Sequence, residues 1–199
     1  MSPPRARFSD AEIRMYGLLN RAVRDLVVAN FGESTWDKIR ARAGLAESRF
    51  QAMEQYPDSV TYELVGALCE ETGMTADQAL EAFGEYWIQY TGAEGYEHLL
   101  EASGDTLPEF LNNLNDLHTR VALIFTHLSP PSFLVSDETE QSLVLHYFSH
   151  REGLGPVMVG LLRGLGARFN VDVVVEREVM QRTDDNRVHE TFRVAWNGA

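Results

Sequence analysis

Cysteine is all but absent: Cys69 is the only one in 199 residues. No internal disulfide can form, and no cluster of Cys and His ligands surrounds it. Lying within the helical-looking "YELVGALCEETG", it reads as a small buried hydrophobe. Positive charge is also scarce, with 17 basic against 30 acidic residues and a formal net charge of -13. The resulting field repels phosphate backbones and anionic headgroups, which argues against nucleic-acid and membrane-surface partners. No apolar run reaches the roughly 20 residues of a membrane-spanning helix, and "MSPPRARFSD" lacks the apolar segment of a secretory signal. A cytoplasmic protein is expected. Hydrophobic residues nevertheless make up 44% of the chain, enough to fill a core.

Beyond the polar, Pro-containing Met1 to Arg14, apolar residues recur at helical spacing. "MYGLLNRAVRDLVVANFG" predicts one helix ending near Gly32, and "STWDKIRARAG" a second, with Ser34 as N-cap and Gly44 as terminator. "DSVTYELVGALCEETG" and "TADQALEAFGEYWIQYTG" predict two more. "GDTLPEFLNNLNDLHTRVALIFTHLSPP" opens on Asp105 or Thr106 as a cap and carries an apolar stripe to Pro130-Pro131, with an interruption near Asn115. The period then changes: "SFLVS", "SLVLHYFSHR", "VDVVVEREV" and "TFRVAW" alternate or run apolar as strands do, with a helix, "GPVMVGLLRGLGARF", between them. The fold class is α+β, with helices first and then an antiparallel sheet with packed helices. No internal repeat or low-complexity linker divides the chain. One domain is expected over 15–199, with a helical part over about 15–75 and a helix-and-sheet part over about 76–199; residues 1–14 form an N-terminal extension expected to be disordered.

Two places can carry chemistry. On a helix, Leu111, Leu114, Val121 and Phe125 share a face with His118, so an imidazole projects from an apolar stripe. Such a histidine needs partners for its ring nitrogens, because an unsatisfied buried polar group costs about 1 to 3 kcal/mol. A core histidine bonded to a carbonyl satisfies that demand; so does an axial ligand of an iron porphyrin. The second place is the strand "LVLHYFSHREGLGP". Leu143, Leu145, Tyr147, Ser149 and Arg151 share one side, and the last three span about 13 Å as donors. A phenol, a hydroxyl and a guanidinium following an apolar stretch suit a flat apolar ligand with anionic groups at one rim. A strand end emerging into solvent would show the same order.

Other features are weaker. His146 and His150 share the other strand face but lie about 13 Å apart, too far to bind one metal ion together. "GLGPVMVG" and "RGLGARF" match neither the dinucleotide fingerprint nor the P-loop. No Cys-x-x-Cys-His is present, so a haem could not be attached covalently. No nucleophile-plus-base arrangement is legible, and no enzyme activity is expected.

The segments "MYGLLNRA", "FGEYW", "EFLNNLNDLHTRV", "PPSF", "LHYFSHREGLGP" and "GLLRGLGARF" together resemble, in this order, the haem nitric oxide/oxygen-binding (H-NOX) domains, the gas-sensing modules also found in soluble guanylate cyclase. The resemblance runs from Met15 to about Trp196; family members commonly begin at the Met-Tyr-Gly that is here Met15 to Gly17. It implies a noncovalent haem b, with His118 as proximal iron ligand, Tyr147, Ser149 and Arg151 on the propionates, and Pro131 against the macrocycle. It also implies a distal pocket of Leu19, Val23, Trp87, Val157 and Leu161.

Oxygen-binding members of that family carry a pocket tyrosine, and the matching position here is Val157, next to Pro156. Bound oxygen gains from a hydrogen-bond donor, whereas nitric oxide is less polarised and binds ferrous haem tightly without one. The expectation is a sensor that binds NO and CO and excludes oxygen, with Trp87 packing against the haem without a hydrogen bond. Signalling is expected by rupture of the bond from iron to His118. With no room in 199 residues for a catalytic output domain, the expected partner is a separate protein, a histidine kinase or cyclic-di-GMP enzyme as for free-standing bacterial members. The readings left open are a module for another flat anionic ligand and an oxygen-binding member of the family.

Overall fold

A computed structural model describes residues 14–45 and 49–198; the extension expected to be disordered lies, but for Arg14, outside them. A short strand, β1 (Arg14–Tyr16), pairs antiparallel with β2 (Gln55–Pro57). Between them run helices α1 (Gly17–Phe31) and α2 (Glu33–Arg42). Gly17 is demanded by space, since a Cβ there would lie 2.1 Å from the Gln51 carbonyl oxygen. Gly32, at φ 84°, turns the chain between the two helices at no steric cost. It, rather than Ser34, precedes α2, and Ser34 falls inside the first turn.

Helix α3 (Asp58–Thr72) ends on left-handed Gly73, and α4 (Ala76–Thr91) opens on a capping box between Thr75 and Gln78. The chain then widens into a π-type turn over Gly92–Tyr96 before α5 (Glu97–Glu101). Thr106 caps α6 (Leu107–Asn112), and α7 spans Leu114–Ile124. The interruption falls at Asn113, two residues earlier than expected, where the Asn113 side chain donates to the Ser103 carbonyl at 3.0 Å. Leu111 therefore belongs to α6 and not to the helix of His118. Helix α7 also stops short of the prolines: Phe125 leaves the helical path (ψ 75°) and is buried against Tyr16 and Tyr96.

Strands β3 (Ser132–Ser136), β4 (Ser142–Ser149), β5 (Asp172–Arg182) and β6 (Val188–Asn197) form an antiparallel sheet in the order β3-β4-β6-β5. Helix α8 (Gly155–Phe169) lies between the sheet and α4. Its contact with α4 is made by main chain: a Cβ on Gly84 would sit 2.2 Å from the Val157 carbonyl oxygen, and one on Gly160 2.0 Å from that of Glu81. The core has three parts. One joins the sheet to α4–α8, one lies among α1–α4, and a smaller aromatic group around Tyr16, Tyr90 and Phe125 connects them. Cys69 is only partly buried, at the margin of the second. No helix among the described residues is long and apolar enough to cross a membrane.

Candidate functional site

Between the first of these parts and the aromatic group lies an apolar cavity of about 310 Å³. Helices α1, α4 and α8 supply Leu19, Trp87, Val157 and Leu161; α7 supplies Leu114, His118 and Val121; the loop before β3 supplies Pro130 and Pro131. Tyr147, Ser149 and Arg151 stand at one part of its lining. Of the residues expected here, only Val23 is elsewhere. It is 3% exposed and packed among Val27, Trp36 and Ile39, because the turn of α1 that carries it faces α2 and α3.

His118 is partly buried in this lining. Its Nδ1 lies 2.8 Å from the Leu114 carbonyl oxygen one turn back. A carbonyl can only accept, so Nδ1 carries the hydrogen and Nε2 is left with a lone pair. Burial pushes the histidine below its ordinary pKa, opposed by the bond to Leu114. A neutral imidazole in this tautomer is the form that ligates a metal, with its other nitrogen oriented by a carbonyl. Among the described residues Nε2 has no hydrogen-bond partner. The Phe133 ring stacks on the imidazole at 5.5 Å, and Phe133 is held in turn by Asn115. The Asn115 side chain donates to the Phe133 carbonyl at 2.8 Å and accepts from its N–H at 3.0 Å. The carbonyl-bonded reading is met at Nδ1, and it leaves Nε2 available to a ligand.

On β4 the alternation of the strand puts Tyr147 (3% exposed) and Ser149 (4%) on the inner face. Burial raises the Tyr147 pKa, with Glu190 adding to it and Ser149 and Arg151 opposing, so the phenol is a neutral donor. Ser149 Oγ accepts from the Arg151 N–H at 3.0 Å. Arg151 is more committed than its sequence position suggests. Nε donates to Asp58 at 2.8 Å, Nη1 to the Ser129 carbonyl at 3.0 Å and Nη2 to the Arg14 carbonyl at 3.1 Å. Two of the five guanidinium hydrogens remain for a ligand. The cavity therefore offers one metal-ligating nitrogen, an apolar interior and donors at a rim, and the residues present fit an iron porphyrin with carboxylate arms.

Sequence reasoning missed Asp58 and Glu190. Asp58 has no local signal, lying 93 residues from its partner. Glu190 had one: it interrupts the inward series Val188, Phe192, Val194 of β6. It is fully buried beneath Tyr147 and accepts from Arg177 Nε at 2.6 Å. Trp87 packs with Phe83 and Tyr90, centroids 5.7 and 6.0 Å away; its indole N–H makes no hydrogen bond among the described residues. His150 falls in the bend after β4, outside the strand face on which it was expected.

The chain is thus an α+β domain that encloses a histidine-bearing apolar pocket with hydrogen-bond donors at one part of its lining. The haem-NO-binding family profile matches residues 16–177. Soluble guanylate cyclase gcy-32 of Caenorhabditis elegans is 31% identical over 179 residues, covering 88% of this chain and 26% of its own length. Soluble guanylate cyclase gcy-31 of the same organism is 29% identical over 184 residues, 92% of this chain and 26% of its own length. The chain thus spans about a quarter of the length of these curated relatives. Among solved structures, an Fe(II) unliganded H-NOX protein mutant from K. algicida superposes with a TM-score of 0.77 at 25% identity, over 92% of this chain and 97% of that one. An oxygen-binding H-NOX domain related to soluble guanylate cyclases gives a TM-score of 0.77 at 17% identity, over 92% and 96%. The chain belongs to the haem-NO-binding family, the H-NOX haem gas-sensor domains related to soluble guanylate cyclase.

Proposed function

We propose that this domain is a cytoplasmic, non-catalytic sensor that holds haem b noncovalently, responds to nitric oxide and CO, excludes oxygen, and signals to a separate protein. That partner is a histidine kinase or a cyclic-di-GMP enzyme. The observation that carries the reading is the His118 ring, neutral, oriented by Leu114 through Nδ1 and presenting Nε2 within the cavity lining. Haem would supply a ferrous iron able to take diatomic gases. His118 would be its protein ligand, and Tyr147, Ser149 and Arg151 would donate to its propionates.

Selectivity rests on Leu19, Trp87, Val157 and Leu161, which exclude water and place no hydroxyl at position 157 to favour a polarised ligand. Release of His118 from that iron would transmit the signal. Its helix is bonded through Asn115 to the first residues of β3, so relaxation of α7 moves the sheet edge. An absorption spectrum of the reduced protein tests this reading. NO and CO are expected to shift the Soret band while air leaves it unchanged; a stable shift in air overturns the selectivity. His118→Gly filled with imidazole is expected to bind NO without altering the partner's activity, and an unaltered response overturns the release mechanism.

A further inference from the structure

The sheet has a second, open face. Val144, His146 and Phe148 of β4 point away from the cavity, as do His189, Thr191 and Arg193 of β6 and Ser132, Leu134 and Ser136 of β3 by the alternation of strands. There His146 Nδ1 lies 3.0 Å from His189 Nε2. The two histidines are diagonal partners, 43 residues apart in the chain, brought together by the β4–β6 register.

The surrounding bonds fix how this pair is protonated. Ser136 Oγ donates to Asp137 Oδ2 at 3.1 Å and lies 2.9 Å from His146 Nε2. With its hydrogen given to the carboxylate, Ser136 Oγ can only accept there, so His146 Nε2 carries the hydrogen and Nδ1 keeps its lone pair. This is the arrangement of a ligating histidine whose other nitrogen is held by a partner. His189 is held as well, its ring stacked on Phe148 at 4.3 Å and 11°. Arg187, on the same side, is engaged by Asp185 and Ser132.

We propose that His146 and His189 form a metal site on the outer face of the sheet, separate from the haem pocket, for an imidazole-preferring divalent ion such as Zn²⁺ or Ni²⁺. Metal–imidazole bonds of about 2.0–2.1 Å place two ligating nitrogens about 2.9 Å apart in cis octahedral geometry and about 3.3 Å apart in tetrahedral geometry. The observed 3.0 Å lies between these, so the nitrogen separation already suits a shared ion; its entry requires His189 to move its hydrogen to Nδ1 and both rings to turn so that their lone pairs meet at one point off the line joining the nitrogens. Water completes the coordination, since no third His, Cys, Asp or Glu joins the pair among the described residues. Two imidazoles select against Mg²⁺ and Ca²⁺, which require oxygen ligands.

Calorimetric titration of the metal-stripped, haem-loaded chain, without an affinity tag, tests the site. One Zn²⁺ or Ni²⁺ per chain is expected at micromolar concentration, with no heat from Mg²⁺. His146→Gln and His189→Gln are each expected to weaken binding at least tenfold, and Ser136→Ala about tenfold through the lost orienting bond. Absence of binding to the unaltered chain, or undiminished binding by the H146Q/H189Q double variant, overturns the proposal. Histidine ¹⁵N NMR of the unaltered chain decides independently of how the variants fold. Zn²⁺ is expected to move the resonances of these two rings and leave the other four histidines in place; movement of any other set overturns it.

Discussion

The guanidinium of Arg151 answers two demands at once. It faces the cavity, and it also joins β1, the loop at Ser129 and the start of α3 through three hydrogen bonds. Its ion pair with Asp58 is largely buried, the side chains being 12% and 13% exposed. Removing one partner of such a pair leaves an uncompensated charge, at a cost of about 3 kcal/mol or more. Arg151→Met is therefore expected to destabilise the haem-free chain by that amount in urea denaturation, whereas Tyr147→Phe and Ser149→Ala should mainly weaken haem retention. The cavity-lining half of its place was partly legible: Tyr147 and Ser149 alternate on the inner face of β4 and His118 interrupts an apolar helical stripe, but Arg151, expected on the same strand face, lies in the bend two residues past the end of β4. The Asp58 half was not, because nothing in a linear pattern announces a partner 93 positions away. Glu190 shows the intermediate case, a charge visible on the apolar face of β6 whose compensation by Arg177 required the register of β5.

Among the elements, α7 is the one on which most depends, and the side-chain hydrogen bonds that tie it to the sheet both come from Asn115. Asn115→Ala removes both bonds to the Phe133 backbone and leaves a donor and an acceptor unsatisfied, a loss of about 1 to 3 kcal/mol. Thermal unfolding should register that loss, and the Soret position should shift as Phe133 loosens against His118. The contact between α4 and α8 is set differently. Gly160→Ala would drive a Cβ into the Glu81 carbonyl, and overpacking of this kind costs about 1 to 3 kcal/mol. The same variant should change gas dissociation rates, measured by stopped flow, because Trp87 on α4 and Val157 and Leu161 on α8 would part. The longer helices and the four strands of the main sheet were readable from their period, whereas β1, β2 and α5 were not. Their ends at Asn113 and Phe125 were not, since a side chain bonded to Ser103 in one case and an aromatic cluster in the other decided them.

For the whole molecule, charge and layering were the most legible features. A net charge of -13 and a pI near 4.8 predict a solubility minimum close to pH 4.8, where self-repulsion vanishes; light scattering across a pH series checks it. The α+β order of helices before sheet is as the alternation of periods implied. The division of the core was harder to foresee, because α4 contributes Ala79 to one cluster and Ile88 to another, so one helix serves two interiors. Its crossing with α8 is a fit of main chain to main chain at Gly84 and Gly160. At that joint Val157 and Leu161 present main-chain atoms, the carbonyl of one and the N–H of the other, rather than their side chains. A designer could accordingly re-line the cavity at 157 and 161 in combinatorial libraries while the scaffold that spaces its walls stays constant, making this crossing a fixed frame for interchangeable chemistry.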